Sequence, residues 1–399
     1  MNSHRERAQG RAFARPASIV ALSLAGALTL AACGSSTRSS TTTSTTAPTP
    51  STTTPVNPAS QLPVLISPPS SATALSEGGS SLLYPVFAAW ASAFHTKYSG
   101  VTITTAATGS GAGITGAQNG TLDIGASDAY LPAATQSQTP GLENIPLAIS
   151  AQQVNYNVPG LAKSVHLKLN GQILSDMYSG KITNWNSSQI AAINPGVTLP
   201  NLAVVPLHRG DSSGDTFLFT SYLAAAYPSG WVAGAGGPNP SITFPTPKGA
   251  LAEQKNSGML QGCKQTPGCV AYIGISYLTP AVQAGLGTAA LQNKAGAYEL
   301  PTSSAILADA SSFTQVPANG SISLIYGPAP AAYPIVNFEY AIVQSKQSSA
   351  TKAQAIKSVL AWAVDPTGGS SAAFLGPVHF QPLPAGALQV TINLLKTIS

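Results

Sequence analysis

Residues 202–225, LAVVPLHRGDSSGDTFLFTSYLAA, contain the transition that decides the fold. The apolar run at 202–208 is typical of a strand, and residues 215–225 have the pattern of a helix. A loop of glycine, serine and charged residues joins the two. A strand that leads through a short loop into a helix is the repeating unit of α/β proteins, so this segment predicts an α/β fold.

Similar transitions recur along most of the chain. Residues 81–98 predict a helix whose apolar face includes Val86, Trp90 and Phe94, and Pro85 falls in its first turn, where proline is tolerated. Further strands are predicted at 101–106, 122–126 and 337–343, and further helices at 111–119 and 351–364.

The first 32 residues are typical of an export signal. Four arginines precede an apolar run at 17–32 that is too short to span a bilayer comfortably. The run ends in Leu30-Ala-Ala-Cys33-Gly34, which resembles a bacterial lipobox. We therefore expect residues 1–32 to be a signal peptide and Cys33 to be lipidated. A plain secretory signal with a chance cysteine is the alternative.

Composition excludes a nucleic-acid-binding protein. Charged residues make up 8% of the chain, and residues 1–32, with four arginines and one glutamate, account for +3 of the formal charge of +5. The remaining charge of +2 offers no dense basic face. Residues 34–70 are mainly Ser, Thr and Pro and cannot bury enough apolar surface to fold. We expect residues 33–71 to form a stalk between the lipid and the folded part.

Cysteine usage is consistent with export. Besides Cys33, the chain contains Cys263 and Cys269 alone, close together in the sequence. Outside the cytoplasm, where conditions are oxidising, a disulfide between these two is favoured. A metal site is disfavoured because two thiols without nearby histidines supply too few ligands. No cofactor is predicted.

Three loops share one design, with small hydroxyl residues and glycines placed at a helix start. They are residues 76–82 (SEGGSSL), 108–113 (TGSGAG) and 209–215 (RGDSSGD). The first helical turn leaves backbone N–H groups unpaired and carries partial positive charge, and glycine allows close approach to those groups. One such loop is commonly a simple helix cap. Three of them predict an anion site if they converge.

Two of these loops also match enzyme fingerprints. Residues 111–116 (GAGITG) satisfy the dinucleotide pattern G-x-G-x-x-G, but no acidic residue follows in a strand about 20 positions later. Residues 210–214 (GDSSG) satisfy the hydrolase pattern G-x-S-x-G around Ser212, and His379 is the one later histidine that could complete a triad. A dinucleotide site is therefore disfavoured, and a secreted serine hydrolase or phosphatase is an alternative.

The same loops resemble, in order, those of the phosphate-binding lipoproteins of phosphate-specific ABC transporters, in particular the mycobacterial branch. The resemblance extends from about Thr73 to the C-terminus. Its most specific stretches are NGTLDIGASD at 119–128 and RGDSSGDTFLFTSYL at 209–223, and further landmarks are YSGKITNW at 178–185 and VAYIGISY at 270–277.

This resemblance implies a particular architecture. The expected fold is the α/β periplasmic-binding-protein fold of type II, with two lobes, a ligand cleft between them and two crossing hinge segments. Residues 72–153 together with 336–399 are expected to form lobe I, and residues 154–335 to form lobe II. Hinge motion is expected to close the lobes around the ligand.

The resemblance also implies which residues contact the ligand. They are Ser81, Leu82, Ser110, Asp128, Arg209, Ser213, Gly214 and Asp215. Leu82 stands where the family usually has an aromatic residue, although its backbone N–H is retained. Asp215 stands where many members have a threonine, so an acceptor replaces a donor. It is expected either to pair with Arg209 or to accept a second proton from phosphate.

Asp128 sets the expected selectivity. An ionised carboxylate only accepts hydrogen bonds, so it requires a proton on the ligand. Phosphate carries one near neutral pH, whereas sulfate does not. The sequence therefore predicts an exported, membrane-anchored protein that binds inorganic phosphate, delivers it to the permease subunits of an ABC importer and is not an enzyme. A binding protein for sulfate or molybdate is the alternative within the same class.

Overall fold

The computed structural model describes residues 66–162, 164–235, 237–245 and 247–399. The predicted signal peptide, Cys33 and most of the predicted stalk lie outside the described residues. In the part of the chain that is described, none of the helices combines the length and the apolar character needed to cross a lipid bilayer.

Strands and helices alternate along the described residues, so the predicted α/β architecture is confirmed. The strands are β1 (Thr73–Gly79), β2 (Val101–Thr104), β3 (Ile124–Ser127), β4 (Leu142–Tyr156), β5 (Lys168–Leu169), β6 (Val205–Arg209), β7 (Leu251–Glu253), β8 (Cys269–Gly274), β9 (Gly287–Thr288), β10 (Ala290–Gln292), β11 (Tyr298–Glu299) and β12 (Val336–Gln344). The helices are α1 (Tyr84–Lys97), α2 (Ser110–Asn119), α3 (Ala133–Gln138), α4 (Gly171–Tyr178), α5 (Ser188–Ile193), α6 (Gly214–Ala226), α7 (Pro228–Ala235), α8 (Lys255–Gln265), α9 (Leu278–Gln283), α10 (Ser303–Ala310), α11 (Ala350–Val364), α12 (Ala372–Leu375) and α13 (Ala385–Thr397).

The start of α1 differs from the prediction for a local reason. The helix begins at Tyr84 rather than at residue 81, because the Ser80 hydroxyl accepts the backbone N–H groups of Leu82 and Leu83 and holds a turn there. Pro85 lies in the first turn of the helix, as predicted. The turn keeps the two serines before α1 close to the sheet, where they contact the candidate site.

Most strands belong to one hydrogen-bonded path in the order β2-β1-β3-β12-β4-β8-β6-β7, with β9 paired to β4. β1 is parallel to β2 and β3, and β6 is parallel to β8 and β7. Ligands of open α/β sheets bind at the carboxyl ends of parallel strands. Here these ends lead to Ser80 after β1, to Asp128 after β3 and to Arg209 at the end of β6.

The long strand β4 connects the two halves of this path. Residues 142–151 pair with β12, whereas residues 152–156 pair with β8. The chain crosses back next to this change of partner, where the backbone N–H of Gln152 donates to the carbonyl of Ile335 (3.0 Å). The predicted lobe boundaries at 153/154 and 335/336 fall beside these crossings, and the division into lobes at those residues stays a prediction.

Each half of the path packs around aromatic residues. In the half that contains α1, the indole of Trp90 donates to the carbonyl of Gly369 (2.9 Å). In the other half, the rings of Phe219 and Tyr272 stack with centroids 4.6 Å apart, and the Tyr178 hydroxyl donates to the carbonyl of Leu207 (2.7 Å). Burial of such side chains contributes about 1.5–3 kcal/mol each. Since Tyr272 and Leu207 lie on β8 and β6, this core fixes the strand that ends at Arg209.

The predicted disulfide between Cys263 and Cys269 is present and joins the end of α8 to the start of β8. Both cysteines are fully buried. The bridge closes the short loop that precedes β8, a strand in the centre of the second half of the sheet.

Glu77 on β1 is a buried carboxyl group outside the candidate site. Its side chain is 2% exposed, and among the described residues neither of its oxygens has a hydrogen-bond partner. Burial raises the pKa of Glu77 from 4.5 to about 8, against a weaker opposing effect of the Ala106 backbone. The folded protein therefore holds this proton up to about pH 8, whereas the unfolded chain releases it above about pH 4.5.

The free energy of unfolding should consequently fall as the pH rises from about 5 to about 8, because the unfolded state then binds fewer protons than the folded state. One such group contributes a slope of at most about 1.4 kcal/mol per pH unit. Urea unfolding at several pH values should show a flatter slope for Glu77→Gln than for the wild type. The control Glu299→Gln, at a half-buried position on β11, should keep the wild-type slope. Identical slopes for Glu77→Gln and the wild type would show that Glu77 does not keep an extra proton in the folded protein.

Candidate functional site

The three predicted loops converge. Ser110, the first residue of α2, donates its hydroxyl hydrogen to Oδ2 of Asp128 (3.1 Å). From the other half of the molecule, Gly214 approaches the same two residues. A Cβ atom added to Gly214 would lie 2.5 Å from Oδ2 of Asp128 and 2.7 Å from Oγ of Ser110. Gly214 therefore permits an approach that any larger residue would prevent.

Asp128 lies at the centre of this convergence. It follows β3 and is 2% exposed, and the hydroxyl of Ser80 donates to its Oδ1. The Asn337 side chain donates to its backbone carbonyl (3.2 Å). Burial raises the pKa of Asp128, whereas the hydrogen bond from Ser80 and the positive charge of Arg209 oppose that rise. These contacts favour an ionised carboxylate that is shielded from water.

Arg209, at the end of β6, is held by two aspartates. Its Nε donates to Oδ1 of Asp211 (2.6 Å), Nη2 contacts the other oxygen of Asp211, and Nη1 donates to Oδ2 of Asp215 (2.6 Å). The Arg209 side chain is 1% exposed. Burial acts to lower the pKa of Arg209, but the hydrogen bonds and charges of the two aspartates outweigh burial and raise it. The guanidinium is therefore a fixed positive charge in a set orientation.

Asp215 is fully buried and accepts hydrogen bonds from several sides. Besides Arg209, the amide of Asn256 donates to its Oδ2 (2.8 Å) and the amide of Gln152 to its Oδ1 (3.2 Å). Burial and the negative charge of Asp128 raise the pKa of Asp215 to about 7, against the effect of Arg209. In this structure, then, Asp215 pairs with Arg209, the first of its two expected roles.

The start of α6 contributes backbone donors. Ser213 is the residue before the helix, and its hydroxyl accepts the N–H of Thr216 (3.4 Å). Gly214 is the first helical residue. The N–H groups of a first helical turn carry partial positive charge, so this end of α6 favours an anion beside Asp128 and Arg209.

Ser81 and Leu82 lie elsewhere in the interface between the two halves. The Ser81 hydroxyl accepts the backbone N–H and the side-chain amide of Asn256, both at 3.1 Å. The carbonyl of Leu82 accepts the hydroxyl of Ser276 (2.8 Å), and its N–H donates to Ser80 (3.1 Å). Their predicted role as ligand contacts stays a prediction.

Several residues of the site were not predicted from the sequence. Ser80 is the serine that contacts Asp128. Residues 80 and 81 are both serine, and nothing in the sequence indicates which of the two faces Asp128. Asp211 holds Arg209 and lies in the loop at residues 209–215. Asn256 and Gln152 come from distant segments without a recognisable motif.

The two loops that match the enzyme fingerprints contact each other. The carbonyl of Ser212 accepts the N–H of Gly111 (3.2 Å), and a Cβ atom on Gly111 would lie 2.5 Å from Cβ of Ser212. His379 is bonded instead to the hydroxyl of Thr279 (3.0 Å). Among the described residues, no histidine is hydrogen-bonded to Ser212. Gly111 therefore serves the close contact between these two loops.

Comparisons with known proteins agree with this architecture. A family model described as the PBP superfamily domain matches residues 37–367. The phosphate-binding protein PstS of Methanocaldococcus jannaschii is 31% identical over 309 residues, which cover 73% of this chain and 77% of that protein. The phosphate-binding protein PstS3 of Mycobacterium bovis is 30% identical over 330 residues, which cover 78% of this chain and 82% of that protein.

A solved structure of the phosphate-binding protein from Stenotrophomonas maltophilia superposes with a TM-score of 0.62 at 20% identity, covering 80% of this chain and 93% of that one. The fold is therefore the two-lobed α/β fold of periplasmic binding proteins, as predicted. Within that superfamily, the chain belongs to the PstS family of phosphate-binding proteins.

The contact between Gly111 and Ser212 predicts that a larger residue at position 111 would keep the two lobes apart. In Gly111→Ala the new methyl group overlaps the Ser212 side chain, so the two loops should be held apart and the molecule should be more extended. Small-angle X-ray scattering should show a larger radius of gyration than for the wild type. Adding Ser212→Gly in the same chain should restore the wild-type value, because it removes the overlapping atoms.

Gly386→Ala is the matched control, since a Cβ atom there has no neighbour within 4 Å. It should scatter like the wild type. If Gly111→Ala also scatters like the wild type, the added methyl group does not hold the two loops apart.

Proposed function

We propose that this protein is an extracytoplasmic receptor that binds inorganic phosphate between its lobes and delivers it to the permease subunits of an ABC importer. The observation that carries the proposal is the buried Asp128 carboxylate, held by Ser80 and Ser110 where Gly214 approaches from the other half of the molecule. Membership of the PstS family supports the same ligand.

The groups around Asp128 suit a tetrahedral oxyanion. Arg209 has five N–H donors, and three of them are directed to Asp211 and Asp215, which leaves one on each terminal nitrogen. The Ser213 hydroxyl can turn towards a ligand, because its contact with Asp215 is long (3.5 Å). Together with the first N–H groups of α6, these donors can bind several oxygens at once.

The proposed contacts are those of the sequence prediction with three changes. We keep Ser110, Arg209, Ser213 and Gly214, which lie in the converging loops, and Asp128, which follows β3. The hydroxyl beside Asp128 is assigned to Ser80, because Ser81 is bonded to Asn256. Asp215 is assigned the role of holding the guanidinium, while Leu82 contributes to the interface between the lobes.

Asp128 provides the selectivity in this proposal. With the carboxylate ionised, it can accept the proton of hydrogen phosphate, whereas sulfate would place an oxygen against it with no hydrogen between them. A buried site built for a hydrogen bond rejects an analogue that lacks it by roughly 10⁴–10⁵. This favours phosphate over sulfate or molybdate. Recognition by hydrogen bonding needs no catalytic group, and the proposal therefore does not include enzymatic activity.

Replacing Asp128 by asparagine should weaken phosphate binding and strengthen sulfate binding, because the amide adds N–H donors where the carboxylate only accepts. Isothermal titration at pH 7 should show the preference for phosphate reduced by about 100-fold or more, a large part of the roughly 10⁴–10⁵ expected for the native site.

Asp309→Asn is the matched control for this change. Asp309 is also buried, but it lies on α10 and accepts the backbone N–H of Gly327 (3.1 Å), outside the site. Its replacement should leave both affinities unchanged. An unaltered preference for phosphate in Asp128→Asn would show that this carboxylate does not set the selectivity.

The proposal includes export and a lipid anchor at Cys33. When the full chain is expressed in a bacterium that processes lipoproteins, Cys33→Ser should move the protein from the detergent-rich phase to the aqueous phase in a phase-separation assay. The control Ser35→Ala, two positions away, should partition like the wild type. Equal partitioning of Cys33→Ser and the wild type would argue for the plain secretory signal.

A further inference from the structure

A second buried carboxyl group, that of Glu339, lies next to Asp128. β12 and β3 pair in antiparallel register with Tyr340 opposite Ser127, so Glu339 and Asp128 are the next pair of cross-strand neighbours. The pairing of β12 with β4 shifts between Glu339 and Tyr340. Such a bulge redirects side chains. Glu339 is 0% exposed and Asp128 2% exposed.

Two neighbouring carboxyl groups that are shielded from water cannot both be ionised without a large energetic cost, so the pair holds a proton. Asp128 has the groups that favour the charged form, namely the hydroxyls of Ser80 and Ser110 and the positive charge of Arg209. The proton of the pair therefore belongs on Glu339.

The surroundings of Glu339 agree with a neutral acid. Its Oε1 accepts hydrogen bonds from the hydroxyl of Ser150 and from the amide of Asn337 (3.0 Å). Its Oε2 is buried and accepts no hydrogen bond from the described residues. An oxygen without donors is the one that carries a hydrogen. Burial raises the pKa of Glu339 well above its ordinary value, and the charge of Asp128 raises it further.

The other titratable groups around the pair do not reverse this assignment. Tyr340 is fully buried, and burial raises its pKa, so it is neutral at pH 7. From the other lobe, Asp215 adds negative charge near Asp128, and Arg209 adds positive charge. The residue that faces Glu339 from β4, Ser150, is uncharged.

We propose that Glu339 is a neutral carboxylic acid whose Oε2–H donates a hydrogen bond to Asp128 and thereby keeps Asp128 ionised as the acceptor of the ligand's proton. Glu339 does not touch the ligand and is a positioning residue. A carboxylate has about four acceptor sites. Ser80, Ser110 and Glu339 occupy three of them, which leaves one for the ligand. This role rests on the proposed phosphate function.

The first test compares two replacements of Glu339. Glu339→Gln keeps an acceptor for Ser150 and Asn337 and places an N–H donor towards Asp128, so its phosphate affinity should stay within about threefold of the wild type. Glu339→Leu removes the donor. Its phosphate affinity should fall about tenfold or more, the equivalent of one hydrogen bond to a charged group. The preference of Glu339→Leu for phosphate over sulfate should fall as well. Without the donor, Asp128 takes up a proton more readily, and a protonated Asp128 can donate a hydrogen bond to sulfate.

Two binding results would overturn the proposal. Wild-type affinity and selectivity in Glu339→Leu would show that Asp128 does not need this donor. A marked gain in phosphate affinity in Glu339→Gln would show that a negative charge had been removed, and hence that Glu339 is ionised in the wild type.

An infrared measurement tests the proton itself without any ligand, and Glu339→Gln suffices for it if the leucine variant does not fold. The difference spectrum between the wild type and Glu339→Gln at pH 7 should show the loss of one carbonyl band of a protonated carboxylic acid. The control Glu299→Gln should leave that carbonyl band in place. Loss of carboxylate bands in Glu339→Gln would overturn the assignment. Failure of the wild type to bind phosphate would contradict the proposed function, a result independent of the spectrum.

Discussion

The burial of the Asp128 carboxylate is the constraint on which the rest of the site depends. A carboxylate removed from water is costly unless hydrogen bonds replace its hydration. Here the replacements come from separate parts of the chain: Ser80 after β1, Ser110 at the start of α2 and Glu339 on β12. The order of β1, β3 and β12 in the sheet is what brings these segments together.

The side chains of the site carry more negative than positive charge. Arg209 is paired with Asp211 and Asp215, and Asp128 adds a further negative charge, so the pocket does not attract an anion through an excess of positive charge. Binding then depends on donors whose directions are set by their own hydrogen bonds. Such a site distinguishes anions by where their hydrogens lie, because net charge contributes little to the choice.

The helix faces, the α/β order and the disulfide could be predicted from the sequence, because periodicity, turn residues and cysteine spacing are local signals. The three glycine and serine loops converge, which the sequence prediction of one anion site required but could not show. Their local pattern also matched two enzyme fingerprints, because a glycine indicates that backbones approach closely and does not indicate for what function. The choice of Ser80 over Ser81 and the neighbours Asn256 and Glu339 could not be predicted, since strand register and contacts between distant segments decide them.

Selection by the ligand's hydrogen can be measured by titrating the wild-type protein, freed of bound anions, with phosphate and with sulfate at pH 7 in the same buffer. A shielded carboxylate that accepts the ligand's hydrogen predicts strong heat of binding with phosphate and an affinity for sulfate weaker by roughly 10⁴ or more. Comparable affinities for the two anions would contradict it, because a site that tolerates an unprotonated oxygen at Asp128 does not select by the hydrogen.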